Sequence, residues 1–368
     1  MNTEATSTME LQLYTPDRLT QIAVSEFQGT ERGSAEIFAL FQGLVERLGG
    51  PAPAGLAAAA DPWGNPRIPS LRGTPGYGTS DPDEWVTTPY TQHVQNYSSL
   101  LGVRIQGIDS GFQGNATFTI PASYDELECE PWTNINLNDN ASYNTWMSTK
   151  YETFGYTYNA SIDRPPYFNP EINALALWKS HFIRFFIDFA VVRKNGSQVR
   201  VSPDRLIFGS LDQETNFRME DEQQPAILHY TECLMSPVYL DANVTCRSTE
   251  SGVQCGVEAV RRMPPTSGFS KVTMFNFDNY TVKANMAWEF PNSAGALSHS
   301  GRSTATEMYL QDPADAFAIG VGGLAFYANV SAAPMESFQE RLGLLINTFF
   351  HANLHPESYF GRPLQHHG

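Results

Sequence analysis

Positive charge is scarce in this chain. Its 368 residues carry 23 Lys and Arg against 39 Asp and Glu, a formal net charge of −16 with a pI near 4.9. No basic run exceeds the pairs Arg193-Lys194 and Arg261-Arg262. A surface of that sign repels a phosphate backbone, so nucleic acid is not an expected partner. Catalytic signatures are missing too. There is no Gly-x-Ser-x-Gly elbow, no His-Glu-x-x-His, no Gly-x4-Gly-Lys phosphate loop and no Gly-x-Gly-x-x-Gly dinucleotide turn, so neither a cofactor nor a catalytic residue is assigned. No stretch reaches the roughly 18 consecutive apolar residues that span a bilayer; the nearest, Ala316 to Val330, is short and rich in glycine. The first ten residues have neither the basic n-region nor the apolar core of a signal peptide.

Cysteine is also rare, at four residues: Cys129, Cys233, Cys246 and Cys255. Three pairings are possible. The residues between Cys246 and Cys255 are rich in Ser, Glu and Gly and suit a hairpin tip, which favours that pair and leaves Cys129 with Cys233. Zinc competes poorly, because there is no Cys-x2-Cys and no His beside any of the four.

What is abundant is the Asn-x-Ser/Thr triplet. Eight occur, at Asn96, Asn115, Asn140, Asn159, Asn195, Asn243, Asn279 and Asn329, none with Pro in the middle. Such triplets accept N-linked glycans in the secretory pathway, where thiols end as disulfides. Each glycan is bulky and hydrated and needs a surface position. The expected location is therefore the extracellular face of the plasma membrane or the secretory lumen. The missing signal peptide is reconciled if this is a lumenal portion delivered by a membrane segment outside these residues; without flanking membrane helices the protein is secreted. A mis-assigned start is the other resolution.

Four regions are expected. Residues 1–50 form an N-terminal segment in which Ile37, Phe41, Leu44, Val45 and Leu48 mark an amphipathic helix over 31–48. Residues 51–92 are rich in Pro and Gly and read as an extended strap pinned by Trp63 and Trp85. Residues 93–355 form a β-rich ectodomain core, and 356–368 a C-terminal tail. Within the core, Ala116, Phe118 and Ile120 alternate with Thr117 and Thr119. Ile183 to Val191 keeps a two-residue period before Asn195-Gly196, so 183–192 is expected to pair with 198–208. Further strands are expected at 226–236, 238–246, 253–262 and 271–290. Phe338, Leu342, Leu345 and Phe349 recur at helical spacing, marking a closing helix from Met335 to Asn353 that Pro356 cannot continue. The class is α+β, mainly antiparallel sheet with Greek-key or meander connections, an N-terminal amphipathic helix and a packed C-terminal helix.

The remaining candidates for chemistry read more simply as structure. His351 and His355, four apart, could share a metal but lack a third ligand and suit a helix C-terminus. Asp125, Glu126, Glu128 and Glu130, and Glu220 to Glu222, read as solvated turns and strand edges. The run Asn134 to Asn140 is oxygen-rich but lacks the glycine and terminal Glu of a calcium loop, and reads as a polar loop. The 16 Tyr and 23 Phe suit core packing rather than a sugar-stacking groove.

Several segments, taken in order, resemble an uncharacterised family of large multi-pass membrane proteins of filamentous ascomycete fungi that carry a long glycosylated ectodomain. They are Asp61-Pro-Trp-Gly-Asn-Pro-Arg-Ile-Pro69, Tyr97-Ser-Ser-Leu-Leu-Gly-Val103, Asn115-Ala-Thr-Phe118 leading to Tyr124 and Leu127-Glu-Cys129, then Cys233, Tyr239, Cys246 with its partner Cys255, Arg261-Arg262-Met263, and Arg341-Leu with Leu345-Ile-Asn-Thr-Phe349. The resemblance covers about residues 55–355. It implies membrane helices before and after the ectodomain, and no assigned catalytic residue. The expected function is thus a non-enzymatic module for sensing or contact, with cell-wall glycans, small ligands or other proteins as partners and the membrane reached only through segments outside this chain. The alternative is a secreted hydrolase acting on carbohydrate or ester bonds, suggested by the acidic and aromatic content.

Overall fold

The computed structural model describes residues 59–61, 64–72, 74, 84–88, 96–103, 105, 108, 112–136, 185–194, 198–211, 227–249, 252–263, 290, 305–312 and 329–354. The N-terminal helix expected at 31–48, Trp63, and the strand expected at 271–290 apart from Phe290 lie outside them. So do His355, Glu220 to Glu222, and the acceptors Asn140, Asn159, Asn195 and Asn279.

The described chain is α+β and mainly antiparallel sheet. Seven strands, β1 (Val86–Thr87), β2 (Asn115–Cys129), β3 (Thr133–Asn136), β4 (Phe185–Lys194), β5 (Gln198–Leu211), β6 (Ile227–Thr249) and β7 (Gly252–Arg262), form one sheet. Two helices follow, α1 (Ala305–Gln311) and α2 (Met335–Leu354), with a short 3-10 turn at Val330–Ala332 between them.

β6 is the axis of the sheet. One of its edges takes β3 at Ile227–Tyr230 and then β2 at Cys233–Arg247; the other takes β5 at Leu228–Leu234 and β7 at Leu240–Thr249. Where two strands, 226–236 and 238–246, are expected, the structure has a single 23-residue strand that runs straight through Pro237. The reason is where the missing N–H points. Asp125 and Cys129 turn their backbone groups away from β6, whereas the Glu130 N–H bonds back to the Glu232 carbonyl. Odd positions on β2 and β6 are therefore non-hydrogen-bonded pairs. Pro237 sits at such a position and turns its nitrogen to the other edge, where β5 has ended at Leu234 and β7 begins only at Leu240. Pro121 is placed the same way on β2, with its nitrogen on the outer edge.

A strand this long has two faces, and each is buried once. In one half of the sheet the odd positions Leu127, Cys233 and Met235, with Leu206 and Phe208 of β5, pack under α2, α1 and Phe290. In the other half the even positions Ile120, Ala122, Tyr124, Leu240, Ala242, Val244 and Cys246, with β7, pack under Ile68, Leu71 and Ile105. These can be called the helix half and the strap half. Opposite faces are buried in the two, so the core crosses the sheet near Tyr124–Asp125.

α2 forms because its apolar residues recur at helical spacing. Phe338, Leu342, Leu345 and Phe349 are fully buried, and Phe338 stacks edge-on against Phe208, centroids 4.9 Å apart. Glu336 lies in its first turn and His351 in its last, each favourable to the helix dipole. Each core also holds a disulfide between directly opposed residues: Cys129–Cys233 links β2 to β6 and Cys246–Cys255 links β6 to β7.

Candidate functional site

The strap is tied into a knot before it reaches the sheet. Asp61 accepts hydrogen bonds from the Asn65 backbone and side chain and from the Gly102 N–H. Arg67 is buried and donates its Nε–H to the Leu100 carbonyl. Burial pushes the Asp61 carboxyl above its usual range, opposed by Asn65, Gly102 and the charge of Arg67. Burial likewise lowers Arg67, opposed by Asp61, Tyr97 and Tyr309. At Gly102 a Cβ would come within 2.2 Å of the Asn65 carbonyl oxygen, so only glycine admits this crossing. The Asp61–Pro69 and Tyr97–Val103 segments thus meet as one folded unit, joined by Ser98 N–H to the Ile68 carbonyl and Val103 N–H to the Pro66 carbonyl.

That unit and α2 together close the outer edge of β2. Asn347 bonds to both backbone groups of Asp125, from the Asp125 N–H at 3.1 Å and to its carbonyl at 3.0 Å. Gln339 accepts from the Cys129 N–H, and Arg72 donates to the Leu127 carbonyl. An edge strand that would otherwise template pairing with another chain is satisfied by side chains instead. The next residue of α2, Thr348, accepts the Leu100 N–H, so adjacent residues of the helix hold the sheet and the strap.

Between these groups lies a pocket of about 30 Å³, lined among others by Ser70, Arg72, Tyr124, Glu126, Gln339 and Glu340. The Tyr124 hydroxyl accepts the Leu71 N–H and donates to Glu126; burial, then the charge of Glu126, raises the phenol well above its ordinary value. Glu340 is raised by burial first, then by Glu336, with Arg72 and Arg341 opposing. Glu126 and Glu340 thus line one pocket, together with Asp125. Its volume suits one water, whereas small-molecule sites begin at roughly 300 Å³. The arrangement fastens strap, edge and helix together; it has no room for a sugar ring or an ester.

The residues singled out from sequence are dispersed. Asp125, expected as a solvated edge, is buried, because α2 and the strap cover it. Glu128 and Glu130 are exposed. Asn134 and Asn136, expected in a polar loop, lie in β3, and Asn134 Oδ1 is 2.7 Å from His229 Nδ1. Trp85, expected to pin the strap into the body, is 37% exposed and stacks on Arg261 at the sheet surface. Among the described residues no group of three or more His, Cys, Asp and Glu is placed to hold a metal. No described helix is long and apolar enough to cross a membrane.

Four glycan acceptors are described, and none is buried. Asn115 is exposed at the start of β2; Asn96, Asn243 and Asn329 are half-buried. Asn96 adjoins the strap knot, Asn243 lies mid-strand on β6, and Asn329 precedes the 3-10 turn, its Oδ1 accepting the Ser331 hydroxyl. The groups that hold the edge, Arg72, Gln339 and Asn347, carry no sequence motif. One signal was available: Asn347-Thr348 interrupts the apolar stripe of α2 with two polar side chains. Comparison with protein-family models, curated proteins and solved structures returns no match.

Proposed function

We propose that this chain is the glycosylated extracellular or lumenal domain of a fungal membrane protein, serving as a non-enzymatic module for ligand binding, sensing or contact. The observation that carries the reading is the pairing of all four cysteines in two cores of a chain that bears eight glycan acceptors. Disulfides of this kind form and persist in oxidising compartments. That none of the described acceptors Asn96, Asn115, Asn243 and Asn329 is buried supports the same reading. Its partners would be cell-wall glycans, small ligands or other proteins, with the membrane engaged through segments outside the chain. The resemblance to ectodomains of ascomycete multi-pass proteins supports that topology.

The hydrolase alternative draws on one feature, the approach of Glu126 and Glu340 to a common pocket. A glycosidase sets its two carboxylates about 5–9.5 Å apart across a space that holds a sugar, and a water-sized pocket does not provide one. The test is the intact mass of the chain secreted from a eukaryotic host, before and after enzymatic removal of N-glycans, with a thiol count. A large mass drop and no free thiol is expected. An unmodified chain with four free thiols contradicts the reading.

A further inference from the structure

The strap half is buried on its even face; on its odd face the flanking positions are exposed, while on the middle strand Asn243 is half-buried between the buried Asp241 and Thr245. Asn115, Thr117, Thr119 and Pro121 of β2, Arg247 of β6 and Gln254 of β7 are all exposed on that side. Asn243 is at its centre. It sits on the middle strand, flanked by Thr119 on one side and Ala259 on the other, and its triplet partner Thr245 lies on the same face with its hydroxyl 3.2 Å from that of Thr117. At one rim Asp241 holds Arg261 at 2.7 Å, and the Arg261 guanidinium lies 4.9 Å from the centre of the Trp85 ring. By strand spacing the Trp85 backbone is about 12 Å from that of Asn243.

We propose that an N-linked oligosaccharide on Asn243 is the cover of this face, with its core sugars lying along the sheet over Thr119 and Ala259 and reaching the Trp85 indole. The inference rests on the secretory reading above and goes beyond it, because it assigns one glycan a packing role. A glycan on a loop projects into solvent. One attached to the middle strand of a sheet leaves the side chain directly above its neighbours, about 4.8 Å away on either side. Thr119 and Ala259 are both small and do not block the sugar, and the Thr119 hydroxyl offers it a hydrogen bond. An indole fixed at the rim presents the apolar surface on which the C–H face of a pyranose stacks.

The placement also sets when the sugar is attached. In the folded chain Asn243 is hydrogen-bonded into β6 between two strands, and an enzyme cannot seat the triplet in that state. Transfer must therefore precede folding. The Asn243 amide nitrogen displaces the diphosphate of a polyprenyl-diphosphate-linked oligosaccharide, forming the N-glycosidic bond and releasing the lipid diphosphate and a proton.

The experiment uses the full chain secreted from a eukaryotic host. Glycopeptide mapping gives occupancy at every acceptor, and hydroxyl-radical footprinting gives the labelling of Trp85 before and after endoglycosidase trimming to a single sugar. The same labelling is compared in Asn243→Gln and Asn115→Gln, whose acceptors lie at the centre and at the end of the face. Expected are occupancy of Asn243 and a several-fold rise in Trp85 labelling on trimming and in Asn243→Gln, but not in Asn115→Gln. Trimming of the wild-type chain keeps the test valid if Asn243→Gln does not fold. An unmodified Asn243 in a chain glycosylated elsewhere overturns the inference and leaves the secretory reading standing. So does an occupied Asn243 whose trimming leaves Trp85 unchanged. No glycan at any acceptor overturns both.

Discussion

The two halves of the sheet share β2 and β6 but are stabilised by different means. The helix half is covered by regular structure, with α2 laying Phe338, Leu342, Leu345 and Phe349 onto odd-numbered strand positions. Irregular chain covers the strap half. There Ile68, Leu71 and Ile105 are held over even-numbered positions by a knot of side-chain hydrogen bonds around Asp61 and Arg67. The contrast shows how a 23-residue strand can be used without a sandwich. A period of two gives a strand two faces, and covering each along half its length buries both with a single sheet. The requirement is a crossing point, and here it is the edge at Asp125, where Asn347, Arg72 and Gln339 bind the backbone directly.

The most severe way to separate the halves is through their disulfides. Cys129–Cys233 closes a sequence separation of 104 and Cys246–Cys255 one of 9, so loop entropy assigns about 4–5 kcal/mol to the first and about 2.7 kcal/mol to the second. Urea midpoints of the paired Cys→Ala variants should keep that order; equal losses would mean that local packing, not loop length, decides. Next, Phe338→Ala should cost about 3–5 kcal/mol and Leu240→Ala about 2–5 kcal/mol. If β6 couples the cores, each variant shifts one common transition seen by near-ultraviolet and far-ultraviolet dichroism. Two separated transitions would show that the halves unfold independently.

Asn347→Leu removes the partners of the Asp125 N–H and carbonyl and should cost about 2–4 kcal/mol, with faster hydrogen exchange confined to residues 124–129. Unchanged exchange there would dissociate Asn347 from the edge. Gly343→Ala is expected to stabilise by about 1 kcal/mol, because the added Cβ meets Leu127 Cγ at 3.6 Å, an ordinary contact, and alanine favours the helix. The smallest effect concerns Glu340. Its folded carboxyl is raised above 4.5 by burial, so between that value and its folded one the native state binds more proton than the unfolded chain, and stability falls as pH rises. Glu340→Gln should flatten the decline in urea midpoint from pH 4.5 to pH 7; a decline of the same slope would place its origin elsewhere.

Much of this was legible from local pattern. The alternation of Ile120 with Thr119, the antiparallel pairing of β4 with β5 and the i, i+4 spacing of Phe338 and Leu342 each report a period that the structure uses. The single long β6 was not. A proline reads as a break, and only the gap between β5 and β7 makes Pro237 harmless. Nor was the edge closure, since Asn347 and Asp125 are 222 residues apart and each looks ordinary alone. The reversal of the buried face had one trace: β2 alternates up to Tyr124 and then buries Asp125 and Leu127. In sequence that reads as an acidic turn.

The central claim is that β6 passes through both cores with one disulfide on each face. Peptide mapping under non-reducing conditions tests it directly. Cross-linked peptides joining Cys129 to Cys233 and Cys246 to Cys255 are expected, in line with the strand register. A Cys129–Cys246 or Cys233–Cys255 linkage, which would join opposite faces of the sheet, would contradict it.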